Sequence, residues 1–182
     1  MKAGTILREF EARDGRKVTL RTPTWEDLDD MLDFINSLVE EEAMILMETK
    51  QTRDQEVDWL ARALSNMEKD RQVRVVAEVD GKMVGQCEVA LGAGRKSHVG
   101  TLGISVKQGY RDVGIGQELM RELENQARAL GVETLYLEVY GISPAMRLYE
   151  RLGYREHGRL PGGIKYRGEY VDCVSMYKLI SG

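Results

Sequence analysis

The order of apolar and polar positions predicts alternating strands and helices. Apolar residues recur at helical spacing from Trp25 to Glu40, and Thr24 with Asp27 is typical of a capping box at the start of a helix. A second helical pattern covers Asp54 to Met67, and a short strand is predicted before both helices at Lys17 to Arg21. The N-terminal part is therefore interpreted as one strand followed by two amphipathic helices.

The period then changes to that of strands. Val73 to Val79 and Met83 to Leu91 flank Asp80-Gly81, a two-residue turn in which both positions favour positive φ. We expect these two segments to pair as an antiparallel hairpin. Val99 to Val106 is the next predicted strand.

A strand–helix–strand unit follows. After a loop rich in glycine, a stripe of apolar residues predicts a helix that starts near Ile115 and ends at Gly131. Leu135 to Val139 is the following strand, so this order predicts a right-handed crossover between parallel strands.

The last elements are a short helix and a hairpin. Ser143 as N-cap and Pro144 at the first helical position predict a helix that ends at Gly153. The closing hairpin is predicted over Tyr154 to Leu160 and Tyr170 to Leu179. The fold class is thus α/β: one domain over residues 1–182, with a twisted mixed sheet and helices on both faces.

Composition narrows the function. A chain of 182 residues with a net charge of -4 is typical of one globular domain. No apolar run reaches the ~18 residues of a membrane-spanning helix, and the N-terminus has no signal-peptide pattern, so we expect a cytoplasmic protein. The pI of about 5.4 argues against nucleic-acid and anionic-membrane binding, which need a basic surface.

Cysteine and histidine usage excludes two further classes of site. Cys87 and Cys173 each lie in an apolar, strand-like run, which predicts small core residues instead of a disulfide or zinc cage. His98 and His157 are too few and too separated in sequence to indicate a metal site. We expect no metal.

The loop from Gly109 to Gly116 is the motif that indicates chemistry, because free N–H groups and a helix dipole together attract phosphate. Ile115-Gly116 stands where a Walker A loop requires Lys-Ser/Thr. Leu119 occupies the third glycine position of a dinucleotide fingerprint. The loop therefore favours a phosphate-bearing ligand other than a nucleoside triphosphate or a nicotinamide dinucleotide.

Two linked motifs carry a resemblance to a known family. Arg111-x-x-Gly114-x-Gly116 after a strand resembles the acetyl-coenzyme A motif of the GNAT superfamily of N-acetyltransferases, Gln/Arg-x-x-Gly-x-Gly/Ala. Ala145 to Tyr154 is similar to its second signature, Ala-x-x-Leu-Tyr-x-x-x-Gly-Phe/Tyr, and the ending Gly168 to Met176 is similar to the phosphinothricin-type and ribosomal-protein-type branch. The resemblance covers most of the chain and implies the GNAT fold and an acetyl-CoA-dependent N-acetyltransferase.

The resemblance also implies a cofactor site. Loop N–H groups would hold the pyrophosphate, and a strand edge would pair with the pantetheine arm where the two parallel strands splay apart. Ile142 departs from the asparagine often found at its position, and Ser143 beside it would partly compensate. The implied cofactor-binding residues are Ile104, Ser105, Val106, Arg111, Asp112, Val113, Gly114, Ile115, Gly116, Ser143 and Tyr149.

Catalytic roles fall on four candidates, one tyrosine and three carboxylates. The resemblance implies that Tyr149 assists the departing thiolate. Glu88 and Glu138 are the candidate general bases because each lies in a predicted strand near the cleft, and Asp172 is a third. Deprotonating a lysine-type amine at pH 7 costs about 4.6 kcal/mol, whereas an α-amine near 8 costs ~1.4 kcal/mol.

The acceptor pocket is expected to be built by the segment between the first two helices and by the loop of the closing hairpin. Its candidate residues are Glu40, Glu41, Glu42, Glu48, Tyr166, Arg167 and Tyr170. The acidic run would attract a cationic amine. Direct transfer in a ternary complex is expected, since neither cysteine has a histidine nearby in sequence.

Several alternatives stay open. The acceptor could be a protein N-terminus, a lysine, an amino acid, a polyamine or an antibiotic. The domain could instead be a non-catalytic acyl-CoA sensor or an interaction domain on the same fold. An exposed sheet edge in a small domain is compatible with a homodimer.

Overall fold

The computed structural model describes residues 1–181 and contains an eight-stranded sheet with four α-helices. The elements are β1 (Ile6–Glu11), β2 (Lys17–Arg21), α1 (Leu28–Glu40), α2 (Arg53–Glu68), β3 (Gln72–Val79), β4 (Lys82–Leu91), β5 (Val99–Val106), α3 (Ile115–Ala129), β6 (Thr134–Tyr140), α4 (Ala145–Arg151), β7 (Arg155–Tyr166) and β8 (Glu169–Leu179). The strand order is β1-β2-β3-β4-β5-β6-β8-β7. Among the strands of residues 1–181, only β5 and β6 pair in parallel, which confirms the predicted mixed sheet and crossover.

The helices cover both faces of the sheet. Leu119 and Leu123 of α3 belong to the larger core cluster, together with Tyr149 of α4. Phe34 of α1 and Leu60 of α2 pack with residues of β3 and β4 on the other side. We call these two sides the α3 face and the α1 face. The helices α1 and α2 lie over β3 and β4, and at the β6–β8–β7 end of the α1 face Met44 of the connection between those helices packs against the cluster of Tyr140, Ile164 and Val171.

The N-terminal region begins with a strand that periodicity does not reveal. β1 lies at the sheet edge, where most of its residues are exposed, so it lacks a clear apolar alternation. The first helical turn, Trp25–Asp27, is a 3-10 helix that leads into α1. The predicted cap is present, with the Thr24 amide donating to an Asp27 carboxylate oxygen at 2.7 Å.

The C-terminal boundaries differ from the prediction. The strand β7 continues to Tyr166, and the hairpin turns at Arg167-Gly168, with φ values of 50° and 81°. Register shifts between Leu160 and Ile164 absorb the glycines that interrupt the strand pattern. In α4 the N-cap is Pro144, one residue after the predicted position, although the Ser143 hydroxyl still accepts from the Ala145 amide at 3.2 Å.

No helix among residues 1–181 is long and apolar enough to cross a membrane.

Candidate active site

The loop before α3 presents free backbone donors at a helix N-terminus. Asp112 and Gly114 have positive φ, 61° and 97°, which turns the chain sharply into the helix. Within residues 1–181, the N–H groups from Arg111 to Gly116 have no acceptor. The β1–β2 hairpin holds the loop from behind, since the Arg13 amide donates to the Val113 carbonyl at 3.0 Å and Arg16 Nη2 donates to the Gly109 carbonyl at 2.7 Å.

Glycine at position 116 leaves a cradle beside this loop. A Cβ there would lie 3.5 Å from Leu148 Cδ2, 3.8 Å from Val106 Cγ2 and 4.0 Å from Ile104 Cδ1. The missing side chain therefore opens the space between α3, α4 and the end of β5. A linear, phosphate-bearing ligand such as acetyl-CoA fits this combination of free donors and an apolar cradle.

The parallel strands separate beside that cradle. β5 and β6 pair only at Val99–Thr134, Gly100–Leu135 and Thr101–Tyr136. Further along, the β5 edge from Gly103 to Val106 has no pairing partner in β6. The predicted splay is therefore present, and it leaves an opening through the sheet.

A row of residues crosses the sheet where this opening begins. Arg74 pairs with Glu88, Glu88 pairs with Gly103, and Glu138 pairs with Ser175. Gly103 is level with Glu138, because Thr101 pairs with Tyr136 two residues earlier on both strands. These five residues, which we call the central row, point to the α1 face because directly opposite residues share one face.

Glu88 is oriented by two neighbours. Its Oε2 atom pairs with Arg74 and accepts from Gln72 Nε2 at 2.6 Å. The Arg74 side chain is 2% exposed and its guanidinium lies 4.2 Å from the centre of the Trp59 ring. The Glu88 side chain is 37% exposed, and its Oε1 atom lies 3.6 Å from the position of a Cβ on Gly103. One carboxylate oxygen thus faces the opening.

The other acidic candidates are arranged differently. Glu138 is exposed on the far side of the opening, and its Oε1 atom accepts from the Tyr136 hydroxyl at 2.6 Å. That hydrogen bond raises the pKa of Tyr136. Asp172 lies in the closing hairpin, where it accepts from the Gly162 amide at 3.1 Å and from Arg159 at 3.3 Å. Its carboxylate is therefore engaged by its own hairpin.

Tyr149 approaches from the α3 face. It is 7% exposed, and burial alone raises its pKa to about 12. Its hydroxyl has no hydrogen bond to another residue in the described range 1–181. The neighbouring Tyr154, 6.1 Å away between ring centroids, instead donates to Glu124 at 3.1 Å. Tyr149 thus carries a protonated hydroxyl with unused hydrogen-bonding capacity.

The connection between α1 and α2 contacts both the loop before α3 and the closing hairpin. Arg111 Nε donates to the Val106 carbonyl at 2.7 Å, and its guanidinium pairs with Glu41. The side chain of Arg111 is therefore engaged by the end of β5 and by the connection between α1 and α2. Glu42 accepts from the Tyr166 hydroxyl at 2.7 Å through its carbonyl and from Arg167 at 2.8 Å through its carboxylate.

Not every predicted pocket residue joins these contacts. Glu40 pairs with Lys50 on the surface, and Tyr170 is 74% exposed. Glu48 is exposed as well, and so is Ile142, the residue that departs from the usual asparagine on the cofactor side. Of the predicted set, Glu41, Glu42, Tyr166 and Arg167 are the residues that join the connection to the loop before α3 and to the closing hairpin.

Comparison with known proteins decides the family. Residues 32–154, more than half of the chain, match the model of the Acetyltransferase (GNAT) family. The chain belongs to the GNAT acetyltransferase family. It is therefore an acetyl-CoA-dependent N-acetyltransferase, as the two motifs implied.

Individual GNAT proteins support this assignment. An L-amino acid N-acetyltransferase of Escherichia coli K12 is 33% identical over 112 residues, which are 58% of this chain and 67% of that protein. The crystal structure of a ribosomal-protein-alanine N-acetyltransferase from Brucella melitensis has a TM-score of 0.77 at 28% identity, covering 88% of this chain and 98% of that one.

A third likeness concerns the fold alone. A phosphinothricin acetyltransferase from Sinorhizobium meliloti, solved in complex with acetyl-CoA, has a TM-score of 0.77 at 22% identity and covers 89% of this chain and 88% of that one. These neighbours confirm the predicted resemblance to the phosphinothricin-type and ribosomal-protein-type enzymes of the GNAT family.

Sequence reasoning missed two residues of this GNAT site. Arg74 is a charged residue within the apolar run of β3, which is an available signal for a buried ion pair. Gly103 gives no such signal, because its place between Glu88 and Glu138 depends on two strand registers.

Proposed function

We propose that this enzyme transfers the acetyl group of acetyl-CoA directly to a primary amine of a small molecule or peptide in a ternary complex. The observation that carries the proposal is the central row, which places two carboxylates on either side of the opening between β5 and β6. The amine enters from the α1 face, since α3 and α4 cover the opposite face.

The cofactor is held by main chain more than by side chains. The N–H groups from Arg111 to Gly116 bind its phosphates, and Gly116 makes room for the pantetheine arm along Ile104, Ser105 and Val106. Tyr149 contacts it from α4, and Ser143 contacts it from the turn before that helix. When bound there, acetyl-CoA supplies an activated acyl group and a thiolate leaving group.

Glu88 acts as the general base, directly or through a water molecule. The nitrogen of the amine must be neutral, which costs about 1.4 kcal/mol at pH 7 for an α-amine and about 4.6 kcal/mol for a lysine-type amine. The Glu88 Oε1 atom facing Gly103 receives the proton, while Arg74 and Gln72 fix the other oxygen. Glu138 faces the same space from the opposite strand and favours a positively charged amine.

Tyr149 donates a hydrogen bond to the departing sulfur. With a pKa of about 12, it holds its proton throughout the neutral range. Complete proton transfer to a thiolate of pKa ~8.5 is unfavourable by about 5 kcal/mol, so Tyr149 stabilises the sulfur by hydrogen bonding instead of protonating it fully.

A covalent relay is disfavoured by the state of both thiols. Burial raises the pKa of the Cys87 thiol. It also raises the pKa of Cys173, which is less buried. A nucleophilic cysteine requires a lowered pKa. Direct attack by the amine is therefore the mechanism that these residues support.

The test is thiol release from acetyl-CoA with L-amino acids, phosphinothricin and a peptide with an N-terminal alanine, while calorimetry follows coenzyme A binding. We expect turnover with at least one of these amines. Coenzyme A binding without any thiol release would refute the proposed transfer.

Variants separate the two carboxylates. Glu88→Gln is expected to lower kcat by roughly 100-fold or more at neutral pH with unchanged coenzyme A affinity. Glu138→Gln is expected to raise the acceptor KM more than it lowers kcat. Glu9→Gln, on the exposed edge strand, is the control and should leave both constants unchanged. Full activity of Glu88→Gln would remove this residue from the base role.

A further inference from the structure

Gly103 occupies the middle of the central row, where the sheet opens. On one side it pairs with Glu88, and on the other it is level with Glu138 across the gap. A side chain at this position would therefore project from the α1 face into the space between the two carboxylates.

The fold does not require glycine here. Gly103 does not have positive φ, and an added Cβ would meet only Glu88, with Oε1 at 3.6 Å and Cγ at 3.7 Å, which are ordinary contacts. Gly100 in the same strand is different, since a Cβ there would lie 2.4 Å from Val89 Cγ1. Close packing therefore requires glycine at position 100. No neighbouring atom requires glycine at position 103, so the open space above Gly103 needs another explanation.

We propose that Gly103 is a specificity-determining residue for the acceptor. The space above it admits the carbon that bears the amine, so its size decides how much branching that carbon can carry. This inference rests on the proposed transfer through the opening between β5 and β6, and it assigns the limit on acceptor shape to Gly103.

The inference makes a graded prediction. The methyl group added by Gly103→Ala would occupy the space that one methyl group of the acceptor would otherwise use. The affinity for an amine on a branched carbon should fall more than the affinity for an amine on an unbranched carbon. The loss of affinity for one methyl group is on the order of 10- to 100-fold. Glycinamide and L-alaninamide form a matched pair of primary amines that differ by that methyl group.

The experiment is calorimetric titration of both amides into protein saturated with coenzyme A. For Gly103→Ala we expect L-alaninamide to bind at least about 10-fold more weakly and glycinamide to change less, with a larger loss for Gly103→Val. Coenzyme A affinity should stay the same, and thermal stability should be equal or higher because alanine is favoured over glycine within a strand. Gly158→Ala is the control, since a Cβ there has no neighbour within 4 Å.

Two results would overturn the inference: equal affinity of the wild type and Gly103→Ala for L-alaninamide, or no binding of either amide to the wild type. Failure of the proposed function is separate, because it is the absence of thiol release with every amine of the acceptor panel. The amide titrations need no turnover, so either failure is recognised without the other.

Discussion

Replacing Tyr149 with phenylalanine removes one buried hydroxyl that makes no hydrogen bond within the described chain. The folded protein therefore loses no interaction, and we expect Tyr149→Phe to unfold at an equal or higher temperature. In the proposed reaction the same hydroxyl faces a developing thiolate, where a hydrogen bond to a charged group contributes about 1.5–3 kcal/mol. Turnover should fall roughly 10- to 150-fold.

The pH dependence provides a second readout of the same substitution. The pKa of about 12 lies above the value of about 10 for an unfolded tyrosine, so the phenol ionises more readily when the chain unfolds. Its contribution to stability is complete below pH 10 and is lost as the pH rises toward 12. That loss is about 3 kcal/mol for a difference of roughly two pKa units, and Tyr149→Phe should lack this part of the alkaline destabilisation.

The assay combines thiol release, calorimetric titration with coenzyme A and thermal unfolding at several pH values. We expect lower kcat, nearly unchanged coenzyme A affinity and an unfolding curve that is less sensitive to alkaline pH. Unchanged turnover across the pH range would refute a role for Tyr149 at the sulfur. A large loss of stability at neutral pH would show that its hydroxyl has a structural partner.

Two further substitutions test the framework of the site. Arg74→Met removes the buried partner of Glu88 and should lower the free energy of unfolding by about 3 kcal/mol, as measured in urea titrations. This value lies at the lower end of the range for breaking a buried ion pair, because Glu88 is partly exposed. The double variant Arg74→Met/Glu88→Gln should recover part of that loss, and no recovery would contradict a pairwise effect. Gly114→Ala places a side chain at a φ of 97°, which should cost about 1–2 kcal/mol and weaken coenzyme A binding. Its Cβ would meet only Arg13 Nε at 3.8 Å, so wild-type stability in this variant would contradict the need for a left-handed loop.

Local signals in the sequence predicted much of the fold. Asp80-Gly81 predicted a hairpin, and both residues adopt positive φ, 50° and 72°. The glycine loop before Ile115 predicted a helix N-terminus with free donors, and the strand order predicted the parallel crossover. Such features depend on a few neighbouring residues, so the chain itself specifies them.

Registers and long-range contacts were not predictable in this way. Without an irregularity, the turn at Asp80-Gly81 would place Glu88 opposite Val73, but a register shift between Ala77 and Glu78 places Arg74 there instead. The closing hairpin likewise contains register shifts before its turn. The sequence pattern assigned those residues to the loop, so the predicted loop was too long.

The sequence alone therefore determined the family, the glycine loop and the candidates Glu88, Glu138 and Tyr149. Only the tertiary structure placed Glu88 and Glu138 on one face at one level, with Gly103 between them and Tyr149 on the opposite face. The physical reason is that a single register shift moves every later residue of a strand to the other face of the sheet. The alignment of the site thus depends on all the strand pairings together.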